Sequence, residues 1–405
     1  MNLKEFYNAA WRYMKRSERD TLYLDDRVYM NLLDAVYKKV KDNELFCYDI
    51  MCSCVDRFLA EDYKCDNLNE GRVEELLKNI IDTFELNKKT HYLLIPFNGG
   101  RLEKDIYFGN YSFIIGNEDK KIHKIADLTG YDQFELKTFI EHTKRSRSKH
   151  FMEHPLLVLK IENVNSNVYY NSAYLAKLSF MVLKLMIYSA ETENTLFNLV
   201  ANHYEDNYHV AIIGDENWQY GHGNWHNLIN FKYSLDFMES KENQRLFLKL
   251  MDSFAFSNDK NDLYYKFLNA LELFEKSLEQ EENYKETTLS YMLLFAAAES
   301  LLTEGKNEKK LRLSVIWPRL VSISKSECTS KELGALIREK YDLRNEFVHA
   351  GSVIKPDEGC DLRILHQMLA KLIMKYIDDS WVDNNKGLES WKNYIKSTFE
   401  DAVYS

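Results

Sequence analysis

The chain has little that would mark an exported, disulfide-framed or membrane-spanning protein. Its six cysteines, Cys47, Cys52, Cys54, Cys65, Cys328 and Cys360, form no C-x2-C zinc pattern. A chain of 405 residues needs no disulfide frame, so reduced and mostly buried thiols are expected. Only four prolines occur, and no low-complexity tract; with 45% hydrophobic and 29% charged residues, the composition excludes a disordered chain. The N-terminal Met-Asn-Leu-Lys-Glu-Phe-Tyr lacks the basic-then-apolar profile of a signal peptide. The greasiest stretch, Leu175 to Tyr188, is interrupted by Lys177 and Lys184 and is too short to span a bilayer. A cytoplasmic protein is the expectation. Positive charge is scarce too: the net charge is −10. No overall cationic field draws the chain to nucleic acid or anionic membrane, so any such contact needs a local basic patch.

What is present divides into three regions, for an α+β chain that ends in an all-α bundle. Residues 1–87 read as helical. Val28, Leu32, Leu33, Val36 and Val40 recur at helical spacing, as do Val73, Leu76, Leu77, Ile80 and Phe84. The early run from Trp11 to Arg16, with Arg19, interleaves bases and aromatics. It reads as a solvated amphipathic face before it reads as a nucleic-acid contact.

Residues 88–240 change texture, to a mixed α/β region with a possible sensing or regulatory role. Tyr92 to Phe97 is an apolar run that Asn98-Gly99-Gly100 should stop as a turn. Gly109-Asn110, between Ile106–Phe108 and Tyr111–Ile115, signals a hairpin. Leu156 to Ile161 and His209 to Ile213 are further strands, and Ala173 to Tyr188 is a buried helix. Two clusters stand out. Lys144, Arg145, Arg147 and Lys149 put four cations into six residues; the stretch reads as a solvated basic loop before it reads as an RNA-binding patch, though it has the local charge that a phosphate contact needs. His222 and His226 have the spacing of two metal ligands on a helix. Gly221 and Gly223 disfavour that helix and no H-E-x-x-H carboxylate is present, so the stretch reads as a turn, not a zinc site.

Residues 241–405 read as five to seven helices. Leu263, Phe267, Leu268, Leu271 and Phe274 make one stripe. Tyr291 to Leu302 is apolar nearly all round and should be the central helix. Pro318 should kink or end the helix that follows. Leu362, Leu365, Leu369, Leu372, Ile373 and Tyr376 form another stripe, and a last helix covers about 388–399.

Within this bundle lies Tyr341-Asp342-Leu343-Arg344-Asn345-Glu346-Phe347-Val348-His349-Ala350-Gly351, the end of a helix. Arg-x4-His alone is weak evidence, because the chain produces a second copy at Arg145 and His150. Context separates the two. No apolar periodicity seats the second copy, whereas Leu333, Ile337, Tyr341, Arg344 and Val348 share one stripe that should pack. A guanidinium on that ridge needs a partner, and Glu299 is the only charge inside the apolar central helix. Asn345 and His349 stand one turn apart on an adjoining face, with Asp342 two turns before the histidine as a supporting carboxylate. A held arginine beside an exposed histidine suits phosphodiester chemistry. The histidine moves a proton at a ribose 2′-OH or leaving oxygen, and the arginine neutralises charge on the phosphate. Residues five apart lie about 140° apart on a regular helix. One chain therefore needs a distorted final turn, or a two-fold partner, to bring both groups to one phosphate.

Arg344-Asn345-Glu346-Phe347-Val348-His349 with Ala350-Gly351 resembles the signature of HEPN domains, closest to their Apea-like branch. Phe267 to Phe274, Phe295 to Leu302 and Lys331 to Leu343 are similar to that branch as well. The resemblance covers about residues 260–377. It implies a homodimeric helical ribonuclease that cuts RNA without metal or cofactor, with Arg344 and His349 as catalytic pair and Asn345 as polar partner. It also implies a toxin-like role in bacterial anti-phage defence, as in abortive infection, released by a phage-derived or cellular trigger. Some HEPN domains instead only bind nucleotides or serve as dimerisation scaffolds.

Overall fold

The computed structural model describes residues 2–17, 26–65 except 42 and 44, 71–145, 151–164, 168–191, 210–213, 218–221, 229–255, 260–303, 308–321, 323, 329–350, 361–381 except 380, and 387–404. It has an α+β fold made of two compact units.

Among the described residues the first unit begins with four helices, α1 (Leu3–Ser17), α2 (Asp26–Val40), α3 (Tyr48–Tyr63) and α4 (Arg72–Leu86). Their apolar stripes meet in one core through Leu32, Val36, Val55, Leu59, Leu76, Ile80 and Phe84. On α1, Trp11 and Lys15 pack against α3: Trp11 Nε1 donates to the Asp62 carbonyl at 2.9 Å and the Lys15 ammonium lies 5.5 Å from the Tyr63 ring centroid, while Arg12 and Tyr13 are exposed.

A sheet follows. Its strands β1 (Lys88–Arg101), β2 (Ile106–Phe108), β3 (Tyr111–Ile114), β4 (Leu156–Val164), β5 (Val210–Ile213) and β6 (Trp218–Gly221) lie in the order β2-β3-β4-β1-β5-β6. Each neighbouring pair on this path is antiparallel; Leu93 sits between Leu159 of β4 and Ile212 of β5. The β2–β3 hairpin closes with Phe108 opposite Tyr111, and Gly109 supplies the positive φ of 53° that its turn demands. Helices α5 (Glu118–Thr129) and α6 (Gln133–Arg145) cover the face carrying Leu94, Ile114 and Val158, through Ile122, Ile125, Leu136 and Ile140.

Asn98-Gly99-Gly100 does not end β1 as a turn. The strand instead runs on to Arg101, with Gly99 and Gly100 at φ 93° and 64° inside it. Two adjacent glycines signal positive φ, but that conformation serves a distorted strand end as readily as a turn.

The second unit holds α7 (Val168–Ser189) from Leu175 onward, Phe231–Ser234 of β7 (Ile229–Ser234), and seven helices among the described residues. These are α8 (Lys241–Phe254), α9 (Asp262–Glu279), α10 (Thr287–Leu302), α11 (Lys309–Leu320), α12 (Ser330–Ala350), α13 (Asp361–Asp378) and α14 (Leu388–Tyr404). The apolar stretch assigned from sequence to the middle region, Leu175 to Tyr188, thus packs with the bundle. Lys184, buried on it, is 2.7 Å from Glu275 of α9. Burial disfavours the Lys184 charge, but the carboxylates of Glu275 and Glu282 outweigh that and hold the ammonium above its ordinary range.

Helix α10 is central. Leu294, Phe295, Ala297, Ala298 and Leu301 are buried, and the Phe295 ring meets Tyr341 of α12 edge-on at 5.4 Å. Trp391 of α14 donates its Nε1 proton to the Leu301 carbonyl at 2.8 Å. Pro318 neither starts nor ends α11 but sits inside it. It cannot donate to the Ser314 carbonyl, and that carbonyl faces Gly334 of α12 so closely that a Cβ there would lie 2.6 Å from the oxygen. A proline and a glycine together bring α11 and α12 into near-backbone contact.

Candidate functional site

Glu299, in the last turn of α10, is the hub. Its Oε2 takes the Lys309 ammonium of α11 at 2.6 Å. Its Oε1 accepts from the Tyr341 hydroxyl of α12 at 2.9 Å and lies 3.7 Å from Arg344 Nη2. One carboxylate therefore gathers three helices. It can do so because it is the single charge on a helix whose other residues are apolar or small, and because its side chain is only 12% exposed. Low exposure strengthens each of these bonds and makes an unpaired charge costly.

Arg344 is also partly covered, at 22% side-chain exposure. Its Nη1 donates to Asn345 Oδ1 at 2.9 Å, and its guanidinium carbon lies 5.5 Å from the Tyr341 ring centroid. Its Nε is buried without a hydrogen-bond partner among the described residues. Burial, and then the bond to Glu299, push the Tyr341 phenol up to about 12, so it stays a donor.

The ridge that seats Arg344 is shorter than the stripe in the sequence. Leu333, Ile337 and Tyr341 are buried, but Val348 is 45% exposed. From Asp342 onward no residue of α12 is fully buried: Leu343, Arg344, Asn345 and Phe347 are half-buried, and Val348 and His349 are exposed. His349 is exposed, and its imidazole makes no hydrogen bond or ion pair among the described residues. Asp342 does not turn toward it: both carboxylate oxygens accept from Lys310 of α11, at 2.9 and 3.1 Å. The final turn is not distorted either, since α12 stays α-helical through Ala350. Gly351 lies outside the described residues.

Comparison with family models, curated proteins and solved structures finds no match. The site stands on its own geometry.

Of the residues singled out from sequence, Glu299, Arg344 and Asn345 are brought together, Asp342 is held by Lys310, and His349 lies one turn beyond Asn345. Lys144 and Arg145 close α6 in the first unit; Arg147, Lys149, His150, His222 and His226 lie outside the described residues. Among the described residues no group of three or more His, Cys, Asp or Glu is placed to hold a metal ion. The described cysteines, Cys47, Cys52, Cys54 and Cys65, carry free thiols, and only Cys47 and Cys54 are buried. No helix among the described residues is long and apolar enough to cross a membrane.

Sequence reasoning missed Lys309 and Lys310. The signal was there: α11 carries Lys309, Lys310, Arg312 and Arg319 and no acidic residue. It also missed a buried polar contact, with Ser277 Oγ 2.8 Å from His366 Nε2 and 2.9 Å from Ser290 Oγ. That spacing would suit a nucleophile and its base, but Ser277 and His366 are 0% and 2% exposed. Burial lowers the His366 imidazole to about 3. The trio is a neutral internal tie between α9, α10 and α13.

Proposed function

We propose that this chain is a metal-independent endoribonuclease of the HEPN type, acting as a toxin-like effector in bacterial anti-phage defence. The observation that carries the reading is the arrangement at the end of α12. Arg344 is oriented by Glu299, Tyr341 and Asn345, and His349 is exposed one turn further on with no competing partner among the described residues.

In the reaction the ribose 2′-OH loses its proton to one imidazole and attacks the adjacent phosphorus. The P–O5′ bond breaks, the leaving oxygen takes a proton from an imidazolium, and a 2′,3′-cyclic phosphate remains. Arg344 neutralises charge on the non-bridging oxygens, a role that a guanidinium fork fits. The Asn345 amide donates a hydrogen bond to one of them.

Arg344 and His349 diverge by about 140° on an unbroken helix. The site is therefore assigned to a homodimer in which two α12 ends meet across a two-fold axis. Val348 is exposed, and Leu343 and Phe347 are only partly buried, which leaves apolar surface at that end for a second copy.

A second reading is a non-catalytic scaffold, with Arg344 simply tying α12 to α10. The Arg344–Glu299 pair favours it, since that contact needs no substrate. Expression in a bacterial host separates the two. The nuclease reading expects growth arrest with the wild-type chain and relief by His349→Ala. Equal growth with both supports the scaffold.

A further inference from the structure

The chain has a net charge of −10, yet α11 holds four cations and no acid in its twelve residues. Its first turn points two of them at carboxylates of the site, Glu299 and Asp342. Lys309 is 2.6 Å from Glu299 Oε2, on the same carboxyl group whose other oxygen faces Arg344. Lys310 is 2.9 Å from Asp342, two residues before Arg344 on α12. Lys309 thus shares a carboxyl group with Arg344, while Lys310 pairs with Asp342, which lies seven residues before His349 on the same face of α12. Each lysine has a carboxylate where an anionic ligand would place an oxygen. The Lys310–Asp342 pair is exposed on both sides, at 45% and 53%. Such a pair contributes little in water and yields readily to a competing polyanion.

We propose that the first turn of α11 is a phosphate-binding rail for single-stranded RNA, in which Lys310 and Lys309 exchange Asp342 and Glu299 for backbone phosphates. This rests on the ribonuclease reading and deepens it. The two carboxylates act as internal stand-ins for the substrate, holding the lysines extended and lowering affinity for weakly charged ligands. A strand long enough to engage several cations at once displaces them. Release of Lys309 leaves the Glu299 carboxylate to Tyr341 and Arg344, so filling the rail tightens the grip on the guanidinium beside it. The N-terminal end of α11 adds the positive pole of its helix dipole to the same surface.

The test measures binding of a labelled, unstructured oligoribonucleotide to the His349→Ala protein over a range of salt concentrations. Adding Lys310→Ala should lower the slope of log affinity against log salt by about 0.7, the share of one phosphate on a single strand. Adding Asp342→Asn should do the reverse and tighten binding about two- to fivefold at low salt. Lys396→Ala, on α14, should leave the slope unchanged. Lys310 is exposed, so its loss does not threaten the fold; a thermal melt checks this. If His349→Ala protein binds RNA and neither Lys310→Ala nor Asp342→Asn changes slope or affinity, the rail is wrong and the nuclease reading survives. If that protein binds no RNA even at low salt, the rail is also wrong, and cleavage by the wild-type protein decides the nuclease reading separately.

Discussion

Arg344 of α12 and Glu299 of α10 face each other at 3.7 Å, and the same carboxyl group is bonded by Tyr341 and Lys309. The carboxylate is nearly buried and the guanidinium partly so, which makes removal of one partner costlier than the pair's own worth. Glu299→Ala should therefore destabilise the chain by about 1–3 kcal/mol. Glu299→Gln should cost less, because an amide oxygen still accepts from Tyr341. Urea unfolding of both variants checks the order.

Tyr341 gives a test of the same hub by pH. Its phenol is raised from 10 to about 12, so the folded chain keeps a proton that the unfolded chain loses. The associated stability is complete below pH 10 and disappears as pH rises through about 12. Tyr341→Phe lacks this term. Between pH 10 and 12 the wild type should lose stability relative to that variant, and the gap at pH 8 should be about 1 kcal/mol in favour of the wild type.

His366 sets the acid side. Burial lowers its imidazole from 6.5 to about 3, so between those values the unfolded chain binds a proton that the folded chain refuses. The contribution is present above pH 6.5 and lost as pH falls toward 3. His366→Gln should flatten the decline in stability over that window. An unchanged slope between pH 6.5 and 4 would show that other groups govern acid unfolding.

The contact of α11 with α12 depends on Gly334. An added Cβ would lie 2.6 Å from the Ser314 carbonyl oxygen, a backbone atom that cannot swing aside. Alanine favours a helix over glycine by about 1 kcal/mol. Even so Gly334→Ala should destabilise the chain by roughly 1–3 kcal/mol, because the two helices must separate. A higher melting temperature for the variant would show that the close approach is dispensable.

Much of this was legible in the sequence, for physical reasons that vary by residue. Tyr291 to Leu302 announces a buried helix by being apolar all round, and its one charge, Glu299, then has to be paired. The end of α12 was legible less far. Periodicity placed Val348 with Leu333 and Ile337, but a stripe says nothing about how far the packed ridge extends, and Val348 is exposed. Lys309 and Lys310 were hidden because their partners are 10 and 32 residues away, across a loop. Asp342 looked like the histidine's partner by helical spacing alone, until the α11 lysine claimed it. The β1 end misled for another reason: Gly99-Gly100 fixes a backbone conformation without saying whether the strand has ended.

The most direct measurement incubates RNA in EDTA with the wild-type chain, Arg344→Ala and His349→Ala, each shown to be folded. Cleavage by the wild type is expected, with products ending in 2′,3′-cyclic phosphate and a loss of at least about 100-fold in either variant. Intact RNA with an activated wild type, or equal cleavage by both variants, would contradict the nuclease reading.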